Sequence, residues 1–325
     1  FFFKQKTAYE IYQCDWSSDV CSSDLWRTRR HLPAQVMRVG AVDLGTNSTR
    51  LLIADVEGDV VVPIVRRTVV TRLGEGVDAR RILLPAPIAR VRNALVDFRR
   101  EASELGAVRM LAVATSAVRD AENGEAFLGE IERGFGFTTQ LLSGDQEAAL
   151  TRRGVGELGE RTLLLDVGGG STEITAGSFR ESFDIGSVRL SERHLHSDPP
   201  TAAELAAARA EVRALLPALT VESAVGVAGT VAQLHAIAGE LTREAVDTTL
   251  ALLASLPVAE RALVPGMDPA RAPVVVGGAL IVAEVLHRYN LSGITFSERD
   301  ILDGAALEAA SLGEAPGDEQ PLPCC

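Results

Sequence analysis

The sequence predicts an α/β protein made of two duplicated domains that face each other across a cleft, and three observations predict it. A short apolar strand twice runs into an acid, a small-residue turn and a hydroxyl, in Val39-Gly40-Ala41-Val42-Asp43-Leu44-Gly45-Thr46-Asn47-Ser48 and in Leu163-Leu164-Leu165-Asp166-Val167-Gly168-Gly169-Gly170-Ser171-Thr172-Glu173. Each copy opens a run of strand, hairpin, strand and strand, followed by alternating helices and strands, which is the pattern of an α/β layer architecture. One glycine turn per copy puts the ligand between the copies, where α/β proteins commonly bind.

Residues 1–36 stand outside this pattern and are expected to be an adapter-like artefact and non-native leader. Residues 4–11 and 14–25 look like the translation of a common DNA-sequencing adapter. The lysines of the whole sequence are Lys4 and Lys6, and both tryptophans, Trp16 and Trp26, precede Met37. The stretch also lacks the continuous apolar region of a secretory signal.

From Met37 the first domain is expected over residues 37–150. Residues 37–43 read as a strand entering the first turn, 49–56 as the strand leaving it, and 60–71 as a return after Glu57-Gly58-Asp59. Residues 72–78 form a glycine-punctuated loop. Ile88, Val91, Leu95 and Phe98 recur at helical spacing. Residues 109–114 make a short strand ending in Thr115-Ser116-Ala117-Val118-Arg119-Asp120, 122–134 a helix, and 138–142 a strand running into Ser143-Gly144-Asp145-Gln146-Glu147. The second domain, expected over 151–312, repeats the opening with strands at 161–166, 172–176 and 180–185. It continues to a helix over 274–287, a strand over 294–301 and a short helix ending near Leu312. Residues 313–325, rich in Pro, Gly and acids, are expected to be a disordered tail.

Charge and composition narrow the function. The formal net charge is −12, and residues 1–36 carry +1 of it, which leaves −13 for the rest. So acidic a body has no general attraction for nucleic acid or an anionic membrane, and neither is expected as a partner. The cysteines are Cys14, Cys21, Cys324 and Cys325. The body therefore has neither a disulfide framework nor a thiolate metal site, which fits a reducing cytoplasm. No apolar run approaches the roughly 20 residues of a spanning helix.

The two turns carry the chemistry. Glycines allow the chain to turn with positive φ and let N–H groups approach an anion, forming a nest for phosphate oxygens. The strand-end acid cannot bind phosphate, but it can hold a divalent cation or its waters. Asp166 and Glu173 flank the second turn as an oxygen-donor pair for Mg²⁺, with Asp43 the equivalent acid of the first; a solvated strand residue is the plainer reading of Glu173. Arg119 offers a planar fork suited to phosphate, or is a surface arginine. Glu147 by spacing alone is an ordinary dipole-complementing acid at a helix start; its place at the junction of the two domains makes it a functional candidate. A Walker A loop needs a lysine after its glycines, and none follows Lys6. A dinucleotide fingerprint opens a helix, whereas Ser171-Thr172-Glu173-Ile174-Thr175 alternates like a strand.

Taken together, these residues resemble the exopolyphosphatase and guanosine-pentaphosphate phosphohydrolase (Ppx/GppA) family, in its short two-domain bacterial form. The resemblance runs from Met37 to Leu312 and adds four further motifs: Arg72-Leu73-Gly74-Glu75-Gly76-Val77, Gly186-Ser187-Val188-Arg189-Leu190-Ser191-Glu192, Gly226-Val227-Ala228-Gly229-Thr230-Val231 and Gly277-Gly278-Ala279-Leu280. It implies two actin-like domains of the ribonuclease H-like, sugar-kinase and heat-shock ATPase superfamily. It implies Mg²⁺-dependent hydrolysis of the terminal phosphoanhydride of inorganic polyphosphate with release of orthophosphate. The alternative activity is 5′-phosphohydrolysis of guanosine pentaphosphate (pppGpp) or a related nucleotide. By resemblance Glu147 orients or deprotonates the attacking water, and Asp166 and Glu173 support metal and water. Gly45, Thr46, Asn47 and Ser48, with Gly168, Gly169, Gly170 and Ser171, form the phosphate loops, and Arg119 contacts phosphate. The chain departs from the family at Gln146-Glu147, where two adjacent glutamates are frequent. The expected partners are polyphosphate, or pppGpp and nucleotides, together with a second copy of the chain in a homodimer.

Overall fold

The computed structural model describes residues 36–312, so the expectations for the leader up to residue 35 and for residues 313–325 lie outside the described residues. The first sheet consists of β1 (Met37–Leu44), β2 (Ser48–Glu57), β3 (Val60–Val70), β4 (Arg109–Ala114) and β5 (Thr138–Leu141). Its spatial order is β3-β2-β1-β4-β5, an antiparallel meander continued by two strands parallel to β1. The second sheet consists of β6 (Thr162–Val167), β7 (Thr172–Ala176), β8 (Phe179–Phe183), β9 (Ser223–Val227) and β10 (Thr295–Phe296). Its order β10-β9-β6-β7-β8 repeats the first sheet strand for strand, with the same parallel and antiparallel pairings. This is the duplicated α/β architecture that the repeated openings predict.

Helices connect and cover the sheets. In the first half they are α1 (Val77–Arg80), α2 (Pro85–Glu104), α3 (Ser116–Arg119), α4 (Gly124–Phe135) and α5 (Gly144–Val155), the last leading into the second sheet. Then come α6 (Ser187–His194), α7 (Ala202–Leu215), α8 (Ala228–Ala238), α9 (Arg243–Ser255), α10 (Val258–Arg261), α11 (Val275–Arg288) and α12 (Ile301–Ser311). No helix of the described residues is long and apolar enough to cross a membrane.

The central strand shows why the sheet needs cover on both faces. Side chains alternate along a strand, and in β1 Val39 and Ala41 join one apolar cluster while Val42 and Leu44 join another. Helices α2 and α4 cover the second face. The first is covered by α12, whose Leu302, Ala305, Ala306 and Ala309 meet Val39, Ala41, Leu52 and Ala54. The last described helix thus returns to the first sheet. It also meets α5 at backbone contact: a Cβ on Gly304 would lie 2.0 Å from the Leu150 carbonyl oxygen, and one on Gly154 2.0 Å from that of Asp300.

The strand expected over 294–301 is shortened to Thr295–Phe296. Helix initiation takes the remainder. Asp300 accepts the Leu302 N–H at 2.9 Å, and Asp303 accepts the Asp300 N–H at 2.9 Å, a reciprocal cap that starts α12.

Candidate active site

The two glycine turns are closed and held in the same way. The Gly45 N–H donates to the Ser48 carbonyl at 3.1 Å, and the Gly168 N–H to the Ser171 carbonyl at 3.0 Å. In the first hairpin the Thr46 carbonyl accepts from Gly74 at 2.8 Å, and the Asn47 carbonyl from Thr71 and Arg72 at 3.1 and 2.8 Å. In the second, the Gly168 carbonyl accepts from Ser187 at 2.9 Å, and the Gly169 carbonyl from Val188 and Arg189 at 2.8 and 3.1 Å. With the carbonyls engaged from behind, the N–H groups of Thr46, Asn47, Gly169 and Gly170 have no backbone partner among the described residues. They stand as donors around one shared cleft, the arrangement of an anion nest.

Of the two purposes expected of the glycines, the positive φ does not hold. None of Gly45, Gly168, Gly169 and Gly170 has a positive φ. They are required by close approach: a Cβ on Gly169 would sit 2.9 Å from Thr46 Cβ, and one on Gly170 2.5 Å from Ser116 Oγ. The second hairpin packs directly on the first.

Four carboxylates gather at this cleft. Across the β1–β2 ladder Asp43 faces Arg50, and across β6–β7 Asp166 faces Glu173. Asp43 accepts from Arg50 Nε at 2.9 Å, while another arm of Arg50 donates to Asp300. Asp166 accepts from Thr151 Oγ1 at 3.3 Å, and Glu173 from Ser182 Oγ at 2.7 Å. Glu147 projects from the first turn of α5, whose start fits against Ser182 because Gly144 has no Cβ; one would lie 2.4 Å from Ser182 Cβ. Arg119 Nη1 donates to Glu147 at 3.2 Å and to the Leu142 carbonyl at 2.9 Å. Gln146 does not join the acids. Its side chain accepts the Ser143 N–H at 2.8 Å and its own N–H donates to Ser143 Oγ at 3.2 Å, so the departure from two adjacent glutamates serves as a helix cap.

Burial sets the electrostatics. Asp43, Glu147, Asp166 and Glu173 are 6%, 7%, 6% and 3% exposed. Desolvation, followed by the charges of Glu173 and Asp166, pushes the Glu147 carboxyl well above the usual range against the pull of Arg119. Asp166 is pushed well up by desolvation and by Glu173, against Arg50. Glu173 is pushed up to about 6 by desolvation, restrained by hydrogen bonds from Ser182 and Ser171. Desolvation also raises Asp43, with Arg50 opposing. The group holds more negative charge than its arginines balance.

Of the residues singled out in the sequence, Asp43, Glu147, Asp166 and both turns line the cleft, while Glu173 and Arg119 sit beside Asp166 and Glu147 without lining it. Asn47 is buried with neither Nδ2 nor Oδ1 hydrogen-bonded. Arg50, Thr230 and Arg271 also line the cleft and were not anticipated. Arg50 was findable: it follows Asp43 by the interval that separates Glu173 from Asp166. Arg271 follows no local pattern; its guanidinium fits because a Cβ on Gly229 would lie 2.3 Å from Nη1. No group of three or more His, Cys, Asp or Glu side chains arranged to hold a metal occurs among the described residues.

Known proteins share this architecture. The profile of the Ppx/GppA phosphatase family matches residues 52–311. Exopolyphosphatase 2 of Mycobacterium tuberculosis is 40% identical over 316 residues, covering 84% of this chain and 98% of that protein. Exopolyphosphatase 1 of the same organism is 29% identical, covering 83% and 88%. Among solved structures, an exopolyphosphatase-like protein superposes with a TM-score of 0.78 at 32% identity, covering 84% of this chain and 97% of its own. The Aquifex aeolicus PPX-GPPA enzyme superposes with a TM-score of 0.70 at 26% identity, covering 84% and 100%. The chain belongs to the Ppx/GppA phosphatase family.

Proposed function

We propose that this family member is an exopolyphosphatase, hydrolysing the terminal phosphoanhydride of inorganic polyphosphate to release orthophosphate in a reducing cytoplasm. One observation carries the reading: two hairpins with free N–H donors share a cleft with a buried, under-neutralised group of carboxylates. The donors suit phosphate oxygens, and the carboxylates suit a cation and an attacking water. The exopolyphosphatase names borne by its relatives support the same substrate.

Mg²⁺ fits the donor set. Four buried carboxylates stand against Arg50 and Arg119, and Mg²⁺ takes few protein carboxylates while keeping waters and substrate phosphates. It therefore needs no preformed cage. Asp166, with Glu173 and Asp43 beside it, would hold the ion, which supplies neutralising charge to the terminal phosphates. The chain's own residues do the rest. Residues 45–48 and 168–171 hold the phosphates through amides and hydroxyls. Arg119 fixes Glu147 through Nη1 from beside the cleft, and its Nη2, without a partner among the described residues, would serve phosphate. Glu147, in its ionised form, accepts the proton of a water placed in line with the anhydride bond.

Phosphate release from polyphosphate, pppGpp and ATP at matched concentrations tests this. Release should be fastest from polyphosphate, stop with chelator and return with Mg²⁺. Release from pppGpp with none from polyphosphate would replace the substrate; activity undiminished by chelator would remove the metal.

A further inference from the structure

Two of the sequence motifs, at residues 72–77 and 186–192, contribute only Ser187 to the cleft wall. Both lie behind it. The first supplies the amides of Arg72 and Gly74 that take the carbonyls of hairpin one; the second supplies the amides of Ser187, Val188 and Arg189 that take those of hairpin two. The two segments are also tied to each other. The Gly76 N–H donates to Glu192 Oε1 at 3.1 Å. Arg189 Nε pairs with Asp78 at 3.1 Å, its Nη2 reaches Asp120 and, at 3.3 Å, Ser116 Oγ, and its Nη1 pairs with Asp184 of its own half at 3.0 Å. Arg193 donates to both oxygens of Asp78 at 2.8 Å each.

We propose that these segments form an ionic brace, with Arg189 as its positioning residue, which couples the aim of one phosphate hairpin to the other and holds the cleft shut. The carbonyl grip fixes which way each hairpin turns its N–H groups. The cross-ties make the two grips a single unit, so losing them lets either hairpin move without the other.

The remaining contacts favour such motion. The apolar contact described above between α12 and the first sheet lies on the other face of that sheet. On this flank the cross-ties are ionic and polar, beside Val77, Ala117 and Val188 in the same small gap, and largely polar interfaces permit relative movement of the parts they join. Arg189 is 5% exposed, whereas Arg193 and Asp78 beside it are partly exposed, so high salt screens the brace from its rim inward.

Small-angle scattering and steady-state kinetics of Arg189→Met and Asp78→Asn test the brace, with Asp78→Asn serving should the buried arginine variant fold poorly. Both variants should show a larger radius of gyration than the parent at low salt, and the parent should approach it in roughly 1 M salt, where the Debye length is about 3 Å. KM for polyphosphate should rise by about tenfold, a typical coupling within one ion-pair network, and the double variant should be no worse than the worse single one. A residue that merely stabilised the fold would lower Tm and leave KM and scattering alone; unchanged scattering with additive kinetic effects would overturn the proposal. The kinetic arm rests on the exopolyphosphatase reading, but the scattering arm does not. A parent that expands as expected yet spares polyphosphate would fault the substrate and not the brace.

Discussion

In the first hairpin the residue across the ladder from the strand-end acid is Arg50; in the second it is Glu173. The backbones match, the closing hydrogen bonds match, and each turn has its carbonyls gripped from behind by a neighbouring segment. The charge across the ladder differs. Asp43 is paired within the protein with Arg50, which it shares with Asp300. Asp166 has an acid where Asp43 has a base, so that side of the cleft carries charge that protons or a cation must balance. The two copies share the hairpin geometry, and the excess of negative charge lies at the second.

The largest effect should come from Glu147, which sits between the two. Glu147→Gln keeps the shape but cannot accept a proton, and turnover should fall by roughly 10²–10⁴-fold while polyphosphate binding persists. Near-normal turnover in a folded Glu147→Gln protein would reduce this residue to a helix-start acid. The charge asymmetry itself predicts opposite signs for one pair of variants. Arg50→Met leaves Asp43 and Asp300 buried without their partner and should cost about 3–5 kcal/mol of stability by denaturant unfolding. Glu173→Gln relieves repulsion and should raise the metal-free Tm at neutral pH by a few degrees, corresponding to about 1 kcal/mol. Two losses of similar size would end the comparison.

The smallest effect is a pH dependence. Glu173 rises from 4.5 to about 6 on folding, so the folded state holds its proton over a range where the unfolded chain has lost it. Its contribution to stability is complete below the unfolded value and fades as pH rises through about 6. Calorimetry of the metal-free protein should therefore show Tm declining across that window, and Mg²⁺ should restore more of it near neutrality than near about pH 5. A Tm rising through the window would mean the acids are paired by groups other than those described.

Much of this was legible in the chain because it is written in local pattern. The strand-end acids, the glycine turns and the strands at 109–114 and 172–176 each follow from a few consecutive residues. What escaped depends on distant contact. The glycines looked like turn formers, but their lack of a Cβ is needed where Thr46 and Ser116 approach, and no window of sequence contains both sides of that contact. Arg271 reaches the cleft from a segment with no motif of its own. Gln146 looked like a weakened acid and proves to be a cap, because the backbone N–H of Ser143 competes for its side chain.

The return of α12 to the first sheet also bears on how the molecule is made. Val39, Ala41, Leu52 and Ala54 are complete as a surface once the first half has been synthesised, yet Leu302, Ala305, Ala306 and Ala309, which cover them, come from the far end of the described chain. At roughly 5–20 residues per second, the ~150 residues that separate α5 from α12 take about 8–30 s to emerge from the ribosome. For that interval a face of the first sheet is bare, and a chain cut short anywhere between the two helices would keep it bare for good. The nascent protein therefore depends on its last described helix to end its exposure to aggregation, however early its first hairpin forms.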